Sequence, residues 1–257
     1  HRDLHSFPTR RSSDLNCVKI YQVNCTYGAI ILMKESRVAW NLHLEATEDQ
    51  FNTDELKLGP WTSYSLKNDP KHMAFVLSRY KFCSKMLSGK NSVLEVGCGD
   101  AFGTPIVASE VGKLHCVDWE ERNITGNQRR LSHLKNVTFE LLDVTTNKLQ
   151  GSYDAIYNID VIEHLEPEYE SPFMDNMLDS LTEHGVMIIG TPNEAASNYA
   201  TFRSDHHQIN LKTAVYLKSL LDKYFYNSFV FSMNDEVVHT GYYPMAHYLF
   251  VIGVGKK

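Results

Sequence analysis

The chain has 257 residues, with 25 Lys and Arg against 31 Asp and Glu, a formal net charge of −6. That length suits one domain of moderate size with an ample core. The mild acidity, with no basic run after Arg11, argues against non-specific nucleic-acid binding, which needs clustered Lys and Arg. No apolar stretch is long enough to span a membrane. Cys17, Cys25, Cys83, Cys98 and Cys116 are odd in number and contain no C-x-x-C pair. They read as reduced thiols in a cytoplasmic protein, neither a disulfide framework nor a zinc cluster.

In chain order, residues 5–15 resemble translated sequencing-adapter DNA, and residues 16–32 read as translated upstream sequence. Met33 is a plausible start, so residues 1–32 are expected to lie outside the fold. Residues 33–90 form a helical lead-in. Asp69 and Pro70 give a helix start, as N-cap and first helical residue. Met73, Phe75, Val76, Tyr80, Phe82 and Met86 follow at roughly helical spacing and should cover one face of a sheet. Arg79 on that helix is a candidate partner for a ligand carboxylate, or a solvated arginine.

The chain is organised around residues 93–103, Val-Leu-Glu-Val-Gly-Cys-Gly-Asp-Ala-Phe-Gly. An apolar run, Glu95, and glycines at 97 and 99 predict a buried parallel strand, a tight turn and a helix start. Glycines there let the backbone pass close to a nucleotide-like ligand. A dinucleotide fingerprint fails, because Phe102 stands where its third glycine belongs. Glu95 would also repel a pyrophosphate, while suiting a cationic amino-acid ligand.

Residues 114–117 form the second strand, ending at Asp118. The distance from the glycine turn is near the roughly 20 residues expected for a ribose-binding acid. Trp119 is placed to lie against an adenine face. Residues 123–134 read as a polar helix and 137–142 as strand three, followed by Asp143 and Val144. Residues 154–158 form strand four, ending at Asn158. Asp160, Glu163 and His164 follow, where open α/β sheets bind ligands. Residues 168–181 read as a helix, 185–190 as strand five, 211–225 as a helix, 229–231 as strand six and 248–252 as strand seven. The stretch from Asn234 to Met245, with two acids, a His and two tyrosines, is a long loop at the same edge. It suits a hydroxyl-rich substrate such as a sugar, or is a solvated hairpin.

Residues 95–103 resemble motif I of class I S-adenosylmethionine (SAM)-dependent methyltransferases, E/D-x-G-x-G-x-G, with Ala101 at the third glycine. The order and spacing of motifs over about residues 61–254 resemble that superfamily. Within it, the chain looks most like the branch of ubiquinone-biosynthesis O-methyltransferases and small-RNA 2′-O-methyltransferases. The resemblance implies an α/β, Rossmann-like, doubly wound sheet of seven strands, order 3-2-1-4-5-7-6, with strand 7 antiparallel. It implies one methyltransferase domain over residues 33–257. It implies SAM as cofactor, held by Glu95, Gly97, Cys98, Gly99, Asp118, Trp119, Asp143, Val144, Asn158 and Arg79.

The pattern Asp160-x-x-Glu163-His164, with a distant His207, is similar to that of metal-dependent members of this branch. Two carboxylates and two imidazoles can hold a divalent ion that grips acceptor hydroxyls. On a helix, positions 160, 163 and 164 would share a face. The competing reading has no metal and makes His164, with Glu163, the catalytic group. The implied reaction is methyl transfer from SAM, at oxygen, to a small molecule or glycan precursor. An N-methyltransferase and a non-catalytic SAM-binding scaffold are the alternatives. The partner is a small molecule or sugar, with no nucleic acid; oligomeric state and acceptor are not legible.

Overall fold

The structure is a computed structural model that describes residues 41–45, 57–199 and 208–257. The chain divides into two units, His1–Glu55 and Leu56–Lys257. In the first, residues 41–45 are helical. The expected leader, residues 1–32, lies outside the described residues. The second unit carries the sheet.

Its elements in order are α1 (Pro60–Asn68), α2 (Pro70–Met86), β1 (Ser92–Val96), α3 (Thr104–Ala108), β2 (Lys113–Asp118), α4 (Glu121–Arg130), β3 (Val137–Leu141) and β4 (Tyr153–Ile159). After two short 3₁₀ turns come α5 (Glu170–Ser180), β5 (Leu181–Pro192), α6 (Ala214–Tyr224), β6 (Phe225–Asn234), β7 (Val237–His239) and β8 (Tyr248–Lys256). The sheet order is β3-β2-β1-β4-β5-β8-β6-β7. Strands β1 to β5 pair in parallel, and β8 runs antiparallel to both β5 and β6. This is the expected Rossmann-like order with one strand added. β7 is a three-residue hairpin partner of β6, inside the long loop for which a hairpin is one of the two expectations. A turn with Asp235 at φ 48° closes that hairpin, a conformation that Asp tolerates better than most residues.

The helix ends follow capping chemistry. Asp69 accepts a hydrogen bond from His72 N with Pro70 next, and Thr213 accepts one from Tyr216 N at the start of α6. The central strands alternate between two cores. Leu94, Val96, Ile156 and Ile189 pack against Phe173 and Met177 of α5 and Leu217 and Leu221 of α6. Val93, Ala155, Tyr157 and Ile188 pack on the other face against Tyr80, Cys83 and Val107. Glu95 shares the second face, which decides its environment below.

Several expected bounds shift. The first crossover helix, which the sequence predicts over residues 103–111, is only Thr104–Ala108, because Ser109 and Glu110 turn the chain back towards β2. Strand five extends to Leu181–Pro192, since its first residue already pairs with Tyr153. Asp160, Glu163 and His164 do not sit on an α-helix. Asp160 takes φ 57°, and Ile162–His164 is a single 3₁₀ turn. Among the described residues, no helix is long and apolar enough to cross a membrane.

Candidate active site

A cavity of about 250 Å³ opens at the carboxyl ends of β1 and β4. One wall is the glycine turn, from Gly97 to Asp100 with Phe102, and another is Ile159 and Asp160. The helical lead-in supplies the rest: Trp61, Thr62 and Ser65 from α1, then His72, Met73, Val76 and Tyr80 from α2. These lead-in residues were missed as site residues. Their signal, a Gly59-Pro60 helix start just before Asp69-Pro70, marks helices but not what they cover.

The turn is stitched to β2. Gly97 N and Cys98 N both donate to Val117 O, at 2.8 and 3.2 Å. Gly99 N donates to Asp118 Oδ2 at 2.8 Å. Gly97 has φ 75°, and a Cβ there would meet Val161 Cγ2 at 2.4 Å, so two separate constraints demand glycine. Gly99 has φ 54° with open space where its side chain would be, which leaves the backbone bare for a ligand. From α4, Asn127 Nδ2 donates to Gly99 O at 2.8 Å and Arg130 Nη2 to Asp100 O at 3.1 Å. Both residues pin the turn from beneath, and neither was among the expected site residues.

Ala101 also lies in the left-handed region, at φ 56°. That explains why the third position of the motif favours glycine. Ala101→Gly is expected to relieve a left-handed penalty of about 1–2 kcal/mol, partly offset by the greater freedom of glycine when unfolded. Urea unfolding should show a net gain of roughly 0.5–1 kcal/mol; a loss would contradict the strain at this residue.

Glu95, expected among the cofactor residues, is not on the cavity wall. It is 1 % exposed and lies beneath the turn. Its Oε2 accepts from Thr104 Oγ1 at 2.7 Å and faces Cys116 Sγ at 3.4 Å, while Oε1 has no hydrogen-bond partner. Burial pushes its pKa up to about 7, against the hydrogen bond from Thr104. The physical reason is register: odd-numbered positions of β1 point to the α2 face, where Tyr80 and Tyr157 close over them.

The other expected cofactor residues spread along the strand ends. Asp118 is 6 % exposed, and its Oδ1 accepts from Glu120 N at 2.9 Å and Asn123 Nδ2 at 3.3 Å. Trp119 beside it is 73 % exposed, an open aromatic face. Asp143 Oδ1 is taken up by Thr145, through N at 2.9 Å and Oγ1 at 2.6 Å. Val144 is core, and its carbonyl accepts from Asn176 Nδ2. Asn158 is fully buried beside Met177, with Oδ1 unpartnered.

Asp160 on the cavity wall is held by Arg79, whose Nη1 donates to its Oδ2 at 2.6 Å and whose guanidinium lies 4.0 Å from the Tyr248 ring centre. Burial works against the Arg79 charge, but the Asp160 carboxylate outweighs it and raises the Arg79 pKa. Arg79 Nε, Asp160 Oδ1 and Tyr248 OH are buried and lack hydrogen-bond partners. Tyr248 is a second omission of the sequence reading. It fits because Gly190 has no Cβ, which would stand 2.8 Å from the phenol oxygen. Glu163 is fully buried, with Oε2 accepting from Thr191 Oγ1 at 3.0 Å and Oε1 unpartnered. Burial, then the nearby Asp160 charge, raise its pKa. The His164 side chain is 46 % exposed, with Nε2 4.0 Å from Glu163 Oε1.

The four expected metal ligands do not assemble among the described residues, where no group of three His, Cys, Asp or Glu converges as a metal site. Asp160 is committed to a guanidinium, Glu163 is turned inward to Thr191, and His207 lies outside the described residues. The β6–β8 loop is tied to the site edge by Asn193, whose Nδ2 donates to Tyr243 O and Ala246 O, both at 2.8 Å. Its His239 is engaged within the loop, with Asn234 Oδ1 and Gly241 N.

A family model described as a methyltransferase domain matches residues 93–185, the span from β1 into β5. Over that span the chain is similar to a methyltransferase domain. Over 101 residues it is 27 % identical to a probable SAM-dependent methyltransferase of Mycobacterium tuberculosis, covering 39 % of this chain and 35 % of that protein. A Mycolicibacterium smegmatis counterpart matches at the same identity, covering 38 % of its length. The chain thus spans little more than a third of the curated relatives it matches. Among solved structures, the N-methyltransferase NodS of Bradyrhizobium japonicum, in complex with S-adenosylhomocysteine, superposes at TM-score 0.55. There the identity is 18 %, covering 82 % of this chain and 97 % of that one. The methyltransferase domain of the bacterial protein CtHen1 superposes at 0.57, with 18 % identity, 70 % of this chain and 99 % of that one. These likenesses establish the fold.

Proposed function

We propose that the chain transfers a methyl group from SAM to an oxygen of a small molecule or glycan precursor, in the cytoplasm. The observation that carries the reading is one cavity bounded by the bare glycine turn and by Asp160, whose buried Oδ1 lacks a hydrogen-bond partner. The residues suit SAM. Asp118 stands at the turn, Trp119 offers an open face, and the Arg79–Asp160 pair can meet a zwitterionic tail. When bound, SAM supplies an electrophilic methyl group on a sulfonium. The chain supplies orientation, water exclusion by α1 and α2, and acceptance of the acceptor's proton.

His164 is the group proposed for that proton, with Glu163 behind it. The divalent-ion version is disfavoured because Arg79 already neutralises Asp160. The buried thiols Cys83, Cys98 and Cys116, all unbridged, support a reducing compartment. Calorimetry with SAM, S-adenosylhomocysteine and NAD tests the cofactor; binding of NAD without response to SAM would refute it. A screen of sugars, hydroxylated metabolites and amines with labelled SAM then separates O- from N-methylation by product mass. A bound cofactor with no product from any acceptor class would leave only a scaffold role.

His164→Ala is expected to lower turnover by about 10²–10⁴-fold, the usual worth of a general base, with S-adenosylhomocysteine affinity unchanged. Activity should survive a chelator. Full activity in His164→Ala removes the base; loss in chelator with recovery on adding a divalent ion reinstates the metal.

A further inference from the structure

We infer that Asp100 and Thr62 form a latch that fixes helix α1 over the cofactor cavity, making the cofactor turn itself one half of the lid. This rests on the cofactor reading above.

A helix start leaves backbone N–H groups without partners. At α1 the N-cap position is Gly59, which has no side chain to serve them. The cap comes instead from 38 residues further along. Asp100 Oδ2 accepts from Thr62 N at 2.8 Å, and Asp100 Oδ1 accepts from Thr62 Oγ1 at 2.9 Å. A carboxylate at this end of a helix is favoured both by its hydrogen bonds and by the helix dipole. The approach is close enough that a Cβ on Gly59 would fall 2.3 Å from Asp100 Oδ2. Thr62 is accordingly 5 % exposed, although its neighbour Trp61 is 67 % exposed.

The position of Asp100 makes this more than a local cap. It sits between Gly99 and Ala101, two of the three left-handed residues of the turn with Gly97, and its own carbonyl is held by Arg130. Its backbone therefore shapes the turn while its side chain grips α1. Trp61, Thr62 and Ser65 of that helix line the same cavity as Gly97 to Asp100. A ligand that orders the turn orders the latch, and a closed latch retains the ligand; the coupling is reciprocal by linkage. Asp100 and Thr62 are positioning residues, acting on how long the cofactor stays rather than on the reacting atoms.

The test follows S-adenosylhomocysteine binding by stopped flow, and hydrogen exchange of the α1 amides, in the full chain. Thr62→Val, Asp100→Ala and the double variant are compared with wild type and with Thr62→Ser, which keeps the hydroxyl. Dissociation should speed up about tenfold in Thr62→Val, the scale of one charge-assisted hydrogen bond, and by more in Asp100→Ala, which also frees Thr62 N, with little change in the association rate. The double variant should lose no more than Asp100→Ala alone, because Thr62→Val removes one of the two bonds that Asp100→Ala removes together. Thr62→Ser should stay near wild type. Ligand should slow α1 exchange in wild type and not in Thr62→Val. Should Asp100→Ala fail to fold, the two Thr62 variants, which lie outside the turn, decide the matter. Dissociation at the wild-type rate in Thr62→Val, or losses that multiply in the double variant, overturns the latch alone. A wild-type chain that does not bind S-adenosylhomocysteine overturns the cofactor reading and the latch with it.

Discussion

Glu95→Gln is expected to raise stability at pH 8 by on the order of 3 kcal/mol, and to change it little at pH 4.5. The carboxyl is 1 % exposed, its pKa lifted by burial from 4.5 to about 7. The folded state thus holds a proton that the unfolded chain gives up near pH 4.5. Stability from this group is fully present below that pH and is lost as pH rises through about 7. Each unit of difference is worth about 1.4 kcal/mol, which sets the expected size. Glutamine keeps the acceptor for Thr104 and removes the charge. The groups around it, Tyr80 from α2, Thr104 from α3, Cys116 from β2 and Tyr157 from β4, bring no cation to offset the carboxylate. Buried Glu163 is raised in the same direction, so the wild-type slope should exceed what Glu95 alone gives. Urea unfolding of wild type and variant at several pH values reads the difference. A gap that does not widen between pH 4.5 and pH 8 would mean the carboxyl is solvated or paired in solution.

Asp118→Ala should weaken S-adenosylhomocysteine affinity by about ten- to a hundredfold, from about 1–3 kcal/mol for a buried partner left unpaired. The side chain does two jobs. One oxygen holds Gly99 N, and the other organises the start of α4 through Glu120 N and Asn123. Alanine leaves Gly99 N without its acceptor at the point where the turn must be rigid. Asp118→Asn is expected to fall between the two, since it retains one acceptor oxygen. Calorimetry checks the affinity, and a thermal melt separates lost binding from lost folding. Affinity within twofold of wild type would remove Asp118 from the cofactor site.

Much of this architecture was legible from periodicity and turn chemistry. Asp69-Pro70, the apolar run before Gly97 and the carboxylate ending β2 each declare a boundary through local physics, and each stands where expected. Contacts between distant segments were less legible. Glu95 reads as a ligand group in sequence, but strand alternation alone turns it under the sheet. Asp160 reads as a metal ligand until Arg79, 81 residues away, is seen to claim it. Tyr248 enters the site only because Gly190 leaves room, a relation between two strands with no trace in either stretch. β7 hides in a polar loop because three residues are too few to show alternation.

The thiols of Cys83, Cys98 and Cys116 are buried on the face of the sheet that carries Glu95, and burial raises the pKa of each, with the Glu95 charge adding to it. A thiol reacts as its thiolate, so a labelling reagent should find all three nearly inert while the domain is closed. Cys98 stands in the cofactor turn, Cys83 on α2 and Cys116 in the central sheet. The rates at which they are alkylated therefore form a built-in clock. Cys98 would report loosening of the turn, Cys83 separation of the covering helix, and Cys116 exposure of the sheet itself.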